Sequence, residues 1–348
     1  MFIVRNAIPE DVPALFQMAQ TVHSNNLPAN KGELEEIIAR SSASFAGEVD
    51  LDNRYFTFVL VDCDTGEIAG TSAIIARRGT LGRPRLYLKV RHHEHYSDDL
   101  QDGGEQTTVQ LMQDVEGVTE VGGLVLCPAH RGSGERLGSF LSRVRFGFMG
   151  LHADWFMDRI VAEVMGVLTP DGKTKLWDHL GGRFINMSYE EADVYSVKSK
   201  EFITSLFPKE EIYTSLMPQE ARDLIGAVSP DAIPALRMLD RLGFKQVGEV
   251  DPFDGGPYLT ANRDSVPLIA AAARVELVES KPVEGPIAFI STRAGGHFRC
   301  VRSCYELVGG KLAIPAASID ALEVGIGETL GFTPNDLGGQ AQSASETA

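Results

Sequence analysis

Apolar positions along the chain repeat with two periods, and the alternation between them predicts the order of elements. Phe2-Ile3-Val4-Arg5 is extended in character, and Pro9-Glu10-Asp11 opens a helix with proline and acids in its first turn. Leu15, Met18, Ala19 and Val22 then recur at helical spacing. Residues 55–61 and 68–76 read as the two arms of a hairpin, joined by the turn Asp62-Cys63-Asp64-Thr65-Gly66. Residues 101–105 read as a polar, glycine-containing loop. The apolar strand 121–126 ends at Pro128, and the loop His130-Arg131-Gly132-Ser133-Gly134 follows it. Beyond that loop, Leu137, Phe140, Leu141, Val144 and Phe148 fall on one helical face.

The second half has a similar texture. A strand at 159–167 precedes helix-like Leu176-Trp177-Asp178-His179-Leu180 and then Gly181-Gly182-Arg183-Phe184. A comparable ending recurs at 236–242, followed by Gly243-Phe244. Two helices that stop at Leu-Gly and restart with Phe suggest a diverged internal duplication. Past Ala273, short β-rich pieces at 287–290, 304–308 and 312–314 alternate with Gly-rich turns. The pattern therefore divides the chain into a first unit at 1–195, a second, diverged one at 196–273 and a small β-rich unit at 274–334. Residues 335–348, rich in Gly, Gln and Ser, are expected to form a disordered tail.

Composition narrows the function classes. With 43% apolar and 23% charged residues, the 348-residue chain has the balance of a globular protein and can fill more than one core. Its formal charge of −16 repels phosphate backbones and anionic membranes, which argues against a nucleic-acid or membrane partner. No secretory signal and no apolar run of about 18 residues is evident, so a cytoplasmic protein is expected. Cys63, Cys127, Cys300 and Cys304 make neither a disulfide framework nor a zinc-binding pattern, and are expected to be reduced and mostly structural.

The candidate chemistry lies around the central strand and loop. A strand, an acid-opened helix, a hairpin and then a strand–loop–helix carrying Arg-Gly-Ser-Gly resemble the GNAT superfamily of acyl-CoA N-acyltransferases. A glycine-bearing loop ahead of a helix N-terminus aims free backbone N–H groups at an anion, which in that superfamily is the coenzyme A pyrophosphate. Arg131, Gly132, Ser133 and Gly134 are the candidate loop, although a plain strand-to-helix turn would have the same composition. Leu124, Val125 and Leu126 would offer backbone groups to the pantetheine arm. The superfamily pattern Arg/Gln-x-x-Gly-x-Gly is broken here, because Arg136 stands where the last glycine belongs.

A finer resemblance covers most of the chain. Leu27-Pro28-Ala29-Asn30, Leu124-Val125-Leu126 with Pro128, Arg145-Phe146 with Phe148-Met149, and Val161-Ala162-Glu163 with Gly166 match the arginine N-succinyltransferase family in order and spacing. So do Trp177 with Leu180-Gly181, Ile212-Tyr213-Thr214, and Phe253-Asp254-Gly255-Gly256-Pro257. The resemblance implies an α/β fold with a GNAT-like mixed sheet and flanking helices. It implies succinyl transfer from succinyl-CoA to the α-amine of L-arginine in arginine catabolism, with succinyl-CoA as co-substrate and no separate cofactor or metal. Succinylation of ornithine or another basic amine, or non-catalytic sensing of acyl-CoA or arginine, are the alternatives. A homo-oligomer is expected.

One family position departs. The family's proton-donating histidine falls at Ser229, and a serine cannot shuttle a proton near neutral pH. The tyrosine that many GNAT enzymes place before the final Gly-Phe is replaced by Trp177 and Leu239. Glu163, a carboxylate on an apolar strand, is a substitute if burial raises its pKa, and a structural ion-pair partner otherwise. Asp254 and Asn30 are candidates to meet the amine substrate, while Asp254 could equally hold the Gly255-Gly256 turn. His130, His152 and His179 read as solvated or packed. Arg91-His92-His93-Glu94-His95 lacks helical metal spacing and reads as a polar loop.

Overall fold

The computed structural model describes residues 1–21, 27–132, 134–279 and 284–337. The chain opens with strand β1 (Phe2–Asn6) and helices α1 (Val12–Thr21) and α2 (Lys31–Ala46). Strands β2 (Tyr55–Asp62) and β3 (Ile68–Arg78) form the expected hairpin, and a longer one follows, β4 (Arg85–Ser97) with β5 (Asp102–Asp114). Next come β6 (Val118–Leu126), α3 (Leu137–Leu151) and β7 (Arg159–Glu163). Short helices α4 (Lys175–His179), α5 (Tyr189–Lys198), α6 (Glu201–Leu206) and α7 (Gln219–Arg222), with β8 (Ile212–Tyr213) among them, lead to α8 (Ile233–Arg241). The hairpin β9 (Lys245–Val250) and β10 (Pro257–Asn262) precedes α9 (Pro267–Ala270). The last segment is β11 (Ala273–Glu276), β12 (Ile287–Ala294), β13 (His297–Cys304), β14 (Glu306–Val308), β15 (Lys311–Ala313), α10 (Ala316–Leu322) and β16 (Thr329–Pro334).

Fourteen of these strands make one mixed sheet, ordered β11-β16-β12-β13-β1-β2-β3-β6-β7-β10-β9-β4-β5-β8. Every pairing in it is antiparallel except that of β6 with β7. The three units expected from the sequence are therefore continuous. Residues 196–273 add β8, β9 and β10 to the sheet of the first unit, and 274–334 extend it beyond β1. The recurring Leu-Gly endings mark two unlike helix stops. Gly243 takes a left-handed φ of 91° after α8, whereas Gly181 lies against the Trp177 ring. Of the expected tail, Asn335 is bound to the fold by its N–H donating to the Ile287 carbonyl, and residues 338–348 lie outside the described set, as does Val22.

Helices cover the two faces as the apolar periodicity requires. On one face α3 buries Phe140, Leu141, Val144 and Phe148 against Phe56, Phe58 and Leu60 of β2. On the other, α1 and α2 bury Leu15, Met18, Leu34 and Ile38 against Val59 and Val61. A third cluster forms where α4 and α7 pack Trp177 and Ala221 onto Leu86 and Leu88 of β4. Where β1 runs out beside β2, α2 takes over the ladder: Ser41 Oγ accepts the Thr57 N–H at 2.8 Å, and Ser44 Oγ the Tyr55 N–H at 3.0 Å. Asn30 caps α2 through the Glu33 N–H, and Gly47 ends it in the left-handed region.

Two local expectations change. The His92–His95 segment lies in β4, not in a loop, and 102–105 belong to β5. Both strands are polar on both faces there, so no alternation marks them. The strand predicted at 159–167 stops at Glu163, because side-chain and loop groups capture the backbone beyond it. All four cysteines are free thiols. No helix among the described residues is long and apolar enough to cross a membrane.

The Phe148 ring meets Phe45, Phe56, Phe58, Phe156 and Phe298 at centroid distances of 5.1–6.0 Å. Truncation there leaves a cavity ringed by stiff aromatics that cannot collapse into it. Phe148→Ala is expected to lower unfolding free energy by about 3–5 kcal/mol. Urea denaturation followed by circular dichroism checks this.

Candidate active site

The parallel pair β6/β7 is held for only two residues, Thr119↔Ile160 and Glu120↔Val161, before the strands part. On its other side β6 follows β3 through a bulge: Thr71↔Val125 and Ala73↔Gly122 leave one extra residue on β6, around Gly123 at φ 58°. Gly123 lines a cavity of about 20 Å³, with Leu27, Pro28, Leu34, Tyr55, Thr71 and Ala73, on the α1–α2 face. The strand that the sequence assigns to pantetheine thus borders an opening in the sheet. Val125 is buried, while Leu124 and Leu126 are partly exposed.

The loop after β6 places the α3 N-terminus at the same end. Gly132 (φ 71°) and Gly134 are exposed and have no neighbour within 4 Å of a Cβ built on them. Arg136, the residue standing for the family's last glycine, adopts φ 52° and ψ 44°. It thus holds the left-handed conformation a glycine takes freely. No side chain caps α3 at Arg136, so its first N–H groups lack a capping acceptor. Arg131 donates through Nε to the Leu126 carbonyl at 3.0 Å, and Arg302 of β13 donates to the Glu135 carbonyl. Three guanidinium groups therefore surround this loop of an acidic chain. Ser133 lies outside the described residues.

The opposite wall is acidic. Glu163 ends β7, the strand on the other side of the opening, and is exposed to solvent. The Tyr258 hydroxyl donates to Glu163 Oε2 at 3.0 Å and reaches Asp251 Oδ2 at 3.5 Å. Desolvation first, then Asp251 and Glu120, push the Glu163 carboxyl up to about 7. Desolvation and Asp254 likewise raise Asp251 to about 7. Two carboxyls and the phenol between them form one titrating unit. Tyr258, its own pKa raised well above the ordinary value by desolvation and by Glu163, remains a proton donor. The Arg85 guanidinium lies 4.3 Å from the centre of its ring, held by Glu249 at 2.7 Å.

Cations complete the floor. Arg78, at the end of β3, pairs with Glu120 Oε2 at 3.0 Å. Lys200, at the start of α6, lies in electrostatic reach of Arg78, Asp251, Glu163 and Glu120, and desolvation lowers its pKa. Among the described residues no carboxylate comes within ion-pair distance of it.

Ser229 lies next to this wall: its N–H donates to the Met165 carbonyl at 2.9 Å, just past β7, and its hydroxyl has no partner among the described residues. Asp254 is buried and accepts the Gly166 N–H at 2.8 Å through one oxygen and the Gly256 N–H at 2.7 Å through the other. It ties the end of β7 to the Gly255-Gly256 turn, which is the alternative the sequence allowed. Asn30 is engaged as the α2 cap, two residues from Pro28 at the cavity. Trp177 and Leu239, at the places of the missing tyrosine, are core residues.

The histidines stand apart. His92 pairs with Glu105 at 3.0 Å and His93 with Glu211 at 3.1 Å on the β4–β5 arm. His179 is 3.5 Å from Glu220, and His130 packs edge-on to Phe2. His152 stacks on Trp155, and desolvation lowers it to about 4. No group of metal-ligating side chains occurs among the described residues. Sequence reasoning missed Asp251, Tyr258, Glu120, Arg78 and Lys200. Tyr258 directly follows the Phe253–Pro257 motif and Asp251 stands two residues before it, and Glu120 shares with Glu163 the signal of an acid in an apolar strand. Lys200 carries no such signal.

The family described as "Arginine N-succinyltransferase beta subunit" matches residues 2–268. The chain is 35% identical over 333 residues to the arginine N-succinyltransferase of Shigella boydii serotype 18, covering 94% of this chain and 96% of that one. It has the same identity and coverage with the arginine N-succinyltransferase of Escherichia coli O139:H28. The solved structure of arginine/ornithine succinyltransferase subunit AI from Pseudomonas aeruginosa superposes with a TM-score of 0.81 at 27% identity. That likeness spans 96% of this chain and 98% of the other. A parted sheet with a bulged strand before a glycine loop is the GNAT-type α/β architecture, and with these matches the chain belongs to the arginine N-succinyltransferase family.

Proposed function

We propose that this chain moves the succinyl group of succinyl-CoA to the α-amine of L-arginine, as a step of arginine catabolism. The observation that carries the mechanism is the opening between β6 and β7, with unpaired backbone on one wall and the Glu163 carboxyl on the other. Coenzyme A would lie with its pyrophosphate at the uncapped N–H groups of α3 and its pantetheine amides along residues 124–126. The amine attacks the thioester carbonyl directly. Its nitrogen forms the amide bond as the C–S bond breaks, Glu163 takes the proton the amine loses, and the departing thiolate takes a proton from water. Developing charge on the carbonyl oxygen is met by backbone N–H of β6. Holding amine and thioester together supplies much of the acceleration.

Both substrates bring carboxylates into an acidic cleft, and Lys200 is a cation there that, among the described residues, has no carboxylate within ion-pair distance. It is suited to meet one of them, with Arg78 already committed to Glu120. The arginine guanidinium would in turn face the acidic wall, where a planar fork pairs better than a lysine ammonium. Ornithine is the second acceptor favoured, because the Pseudomonas aeruginosa relative is an arginine/ornithine succinyltransferase subunit.

Release of free coenzyme A, measured over succinyl-CoA and shorter acyl-CoAs against arginine, ornithine and lysine, tests the function. Turnover is expected with succinyl-CoA and arginine and to be poor with lysine; binding of acyl-CoA with no turnover on any amine would make the chain a sensor. The rate should climb as pH rises through about 7, because only the ionised Glu163 accepts a proton. Glu163→Gln should lose that dependence and be roughly 10²–10⁴-fold slower. Ser229→His should then change little. A fast Glu163→Gln variant, or strong activation by Ser229→His, would remove Glu163 as the proton acceptor.

Lys200→Met is expected to raise KM about tenfold or more for a substrate whose carboxylate it meets, the size of one charge-assisted contact. Succinyl-CoA is compared with butyryl-CoA, and arginine with its decarboxylated analogue agmatine. Equal effects within both pairs would show that Lys200 reads neither carboxylate.

A further inference from the structure

Arg145 is a buried charge that the mechanism so far leaves without a task. It lies on α3, is 3% exposed and, among the described residues, has no carboxylate within ion-pair distance. Its guanidinium is spread instead over neutral oxygens. Nε donates to the Ser142 carbonyl at 3.0 Å and Nη2 to the Ser142 hydroxyl at 2.7 Å. Nη1 donates to the Gly122 carbonyl at 2.9 Å, with the Ala73 carbonyl more distant at 3.4 Å. Desolvation lowers its pKa to about 9, so it is still a cation at neutral pH. Removing an unpaired charge from water is costly, and a neutral side chain could tie a helix to two carbonyls without that cost.

The place where the charge is delivered is specific. Gly122 lies two residues past the last β6–β7 pair and opens the bulge, so its peptide link to Gly123 lies just beyond the point where the sheet divides. A trans peptide points its N–H opposite to its C=O. With the Gly122 carbonyl held from the α3 face, the Gly123 N–H is directed away from the guanidinium. Gly123 itself borders the cavity on the α1–α2 face, with Tyr55, Leu27 and Thr71. A cation bonded to a peptide carbonyl draws electron density toward it and makes the N–H at the other end a stronger donor.

We infer that Arg145 is a positioning residue for acyl transfer, orienting and polarising the Gly122–Gly123 peptide from behind so that the Gly123 N–H binds the thioester oxygen as negative charge develops on it. The inference rests on the acyl-transfer function proposed for the cleft. It extends that function by one named donor and by the charge that strengthens it. It also accounts for the missing counter-ion. A carboxylate beside Arg145 would neutralise the polarisation the oxyanion needs.

The test uses the full-length protein with succinyl-CoA carrying ¹³C at the thioester carbonyl, and reads that carbonyl's stretching band by infrared difference spectroscopy. In the wild type the bound band is expected to lie below its position in solution. Arg145→Met should return it toward the solution value and lower kcat roughly 10- to 100-fold, near the lower end of what loss of an oxyanion donor costs. The KM for succinyl-CoA should change little. Arg145→Lys, which keeps the charge and loses the fork, should fall between the two. A band and kcat unchanged in either folded variant, with folding checked by circular dichroism, would overturn the role. Should both variants fail to fold, the wild-type band decides alone, since a bound carbonyl at its solution frequency is not polarised. Absence of turnover and of succinyl-CoA binding in the wild type would instead remove the acyl-transfer function, and the inference with it.

Discussion

The separation of β6 from β7 is the constraint on which the site depends. Two neighbouring parallel strands normally satisfy each other's backbone along their whole length. Here each strand finds other partners after two residues. β7 is drawn away by Pro257, by the Ser229 N–H on the Met165 carbonyl and by Asp254 on the Gly166 N–H. β6 is kept on β3 through the bulge, with Arg145 on its Gly122 carbonyl. The backbone left facing the opening is polar and aligned, so an amide-rich, extended ligand can complete the interrupted ladder without rearranging it.

Electrostatics then distinguish the two walls. The β6 side offers N–H groups, a helix N-terminus and the nearby guanidinium groups of Arg131, Arg136 and Arg302. The β7 side offers Glu163, Tyr258 and Asp251, where desolvation and then neighbouring carboxylates raise the two carboxyls to about 7. This division suits a reaction that joins an anionic thioester carrier to a cationic amine. Ser229, at the position where the family resemblance implies a histidine, lies beside this wall, with its N–H on the Met165 carbonyl.

Much of the frame was legible in the sequence because it rests on periodicity. The α3 stripe, the β2–β3 hairpin and the loop after β6 follow directly from residue spacing. Glu163 stood out for the same reason, as an acid in an apolar run. The polar β4–β5 hairpin did not, since strands with no buried face carry no alternation. Lys200 and Arg145 were invisible as functional groups for a different reason. Lys200 meets Arg78, Glu120, Glu163 and Asp251, and Arg145 meets Ala73 and Gly122, only after folding. The changes in composition at 196 and 274 do not interrupt the sheet, because hydrogen bonding carries it across both.

The position of β1 has a further consequence. It pairs with β2 on one side and with β13 on the other, matching Ile3 to Val301. Until residues near 300 have been synthesised, one hydrogen-bonding edge of that strand has no partner. At about 5–20 residues per second, translation leaves the edge open for on the order of 15–60 s. A nascent chain of this kind cannot fold its first strand to completion as it emerges, and its early folding must tolerate an unprotected sheet edge, the surface on which β-rich intermediates aggregate. Expression yield in this family should therefore depend on how that interval is managed in the cell, by translation speed and by chaperone capture.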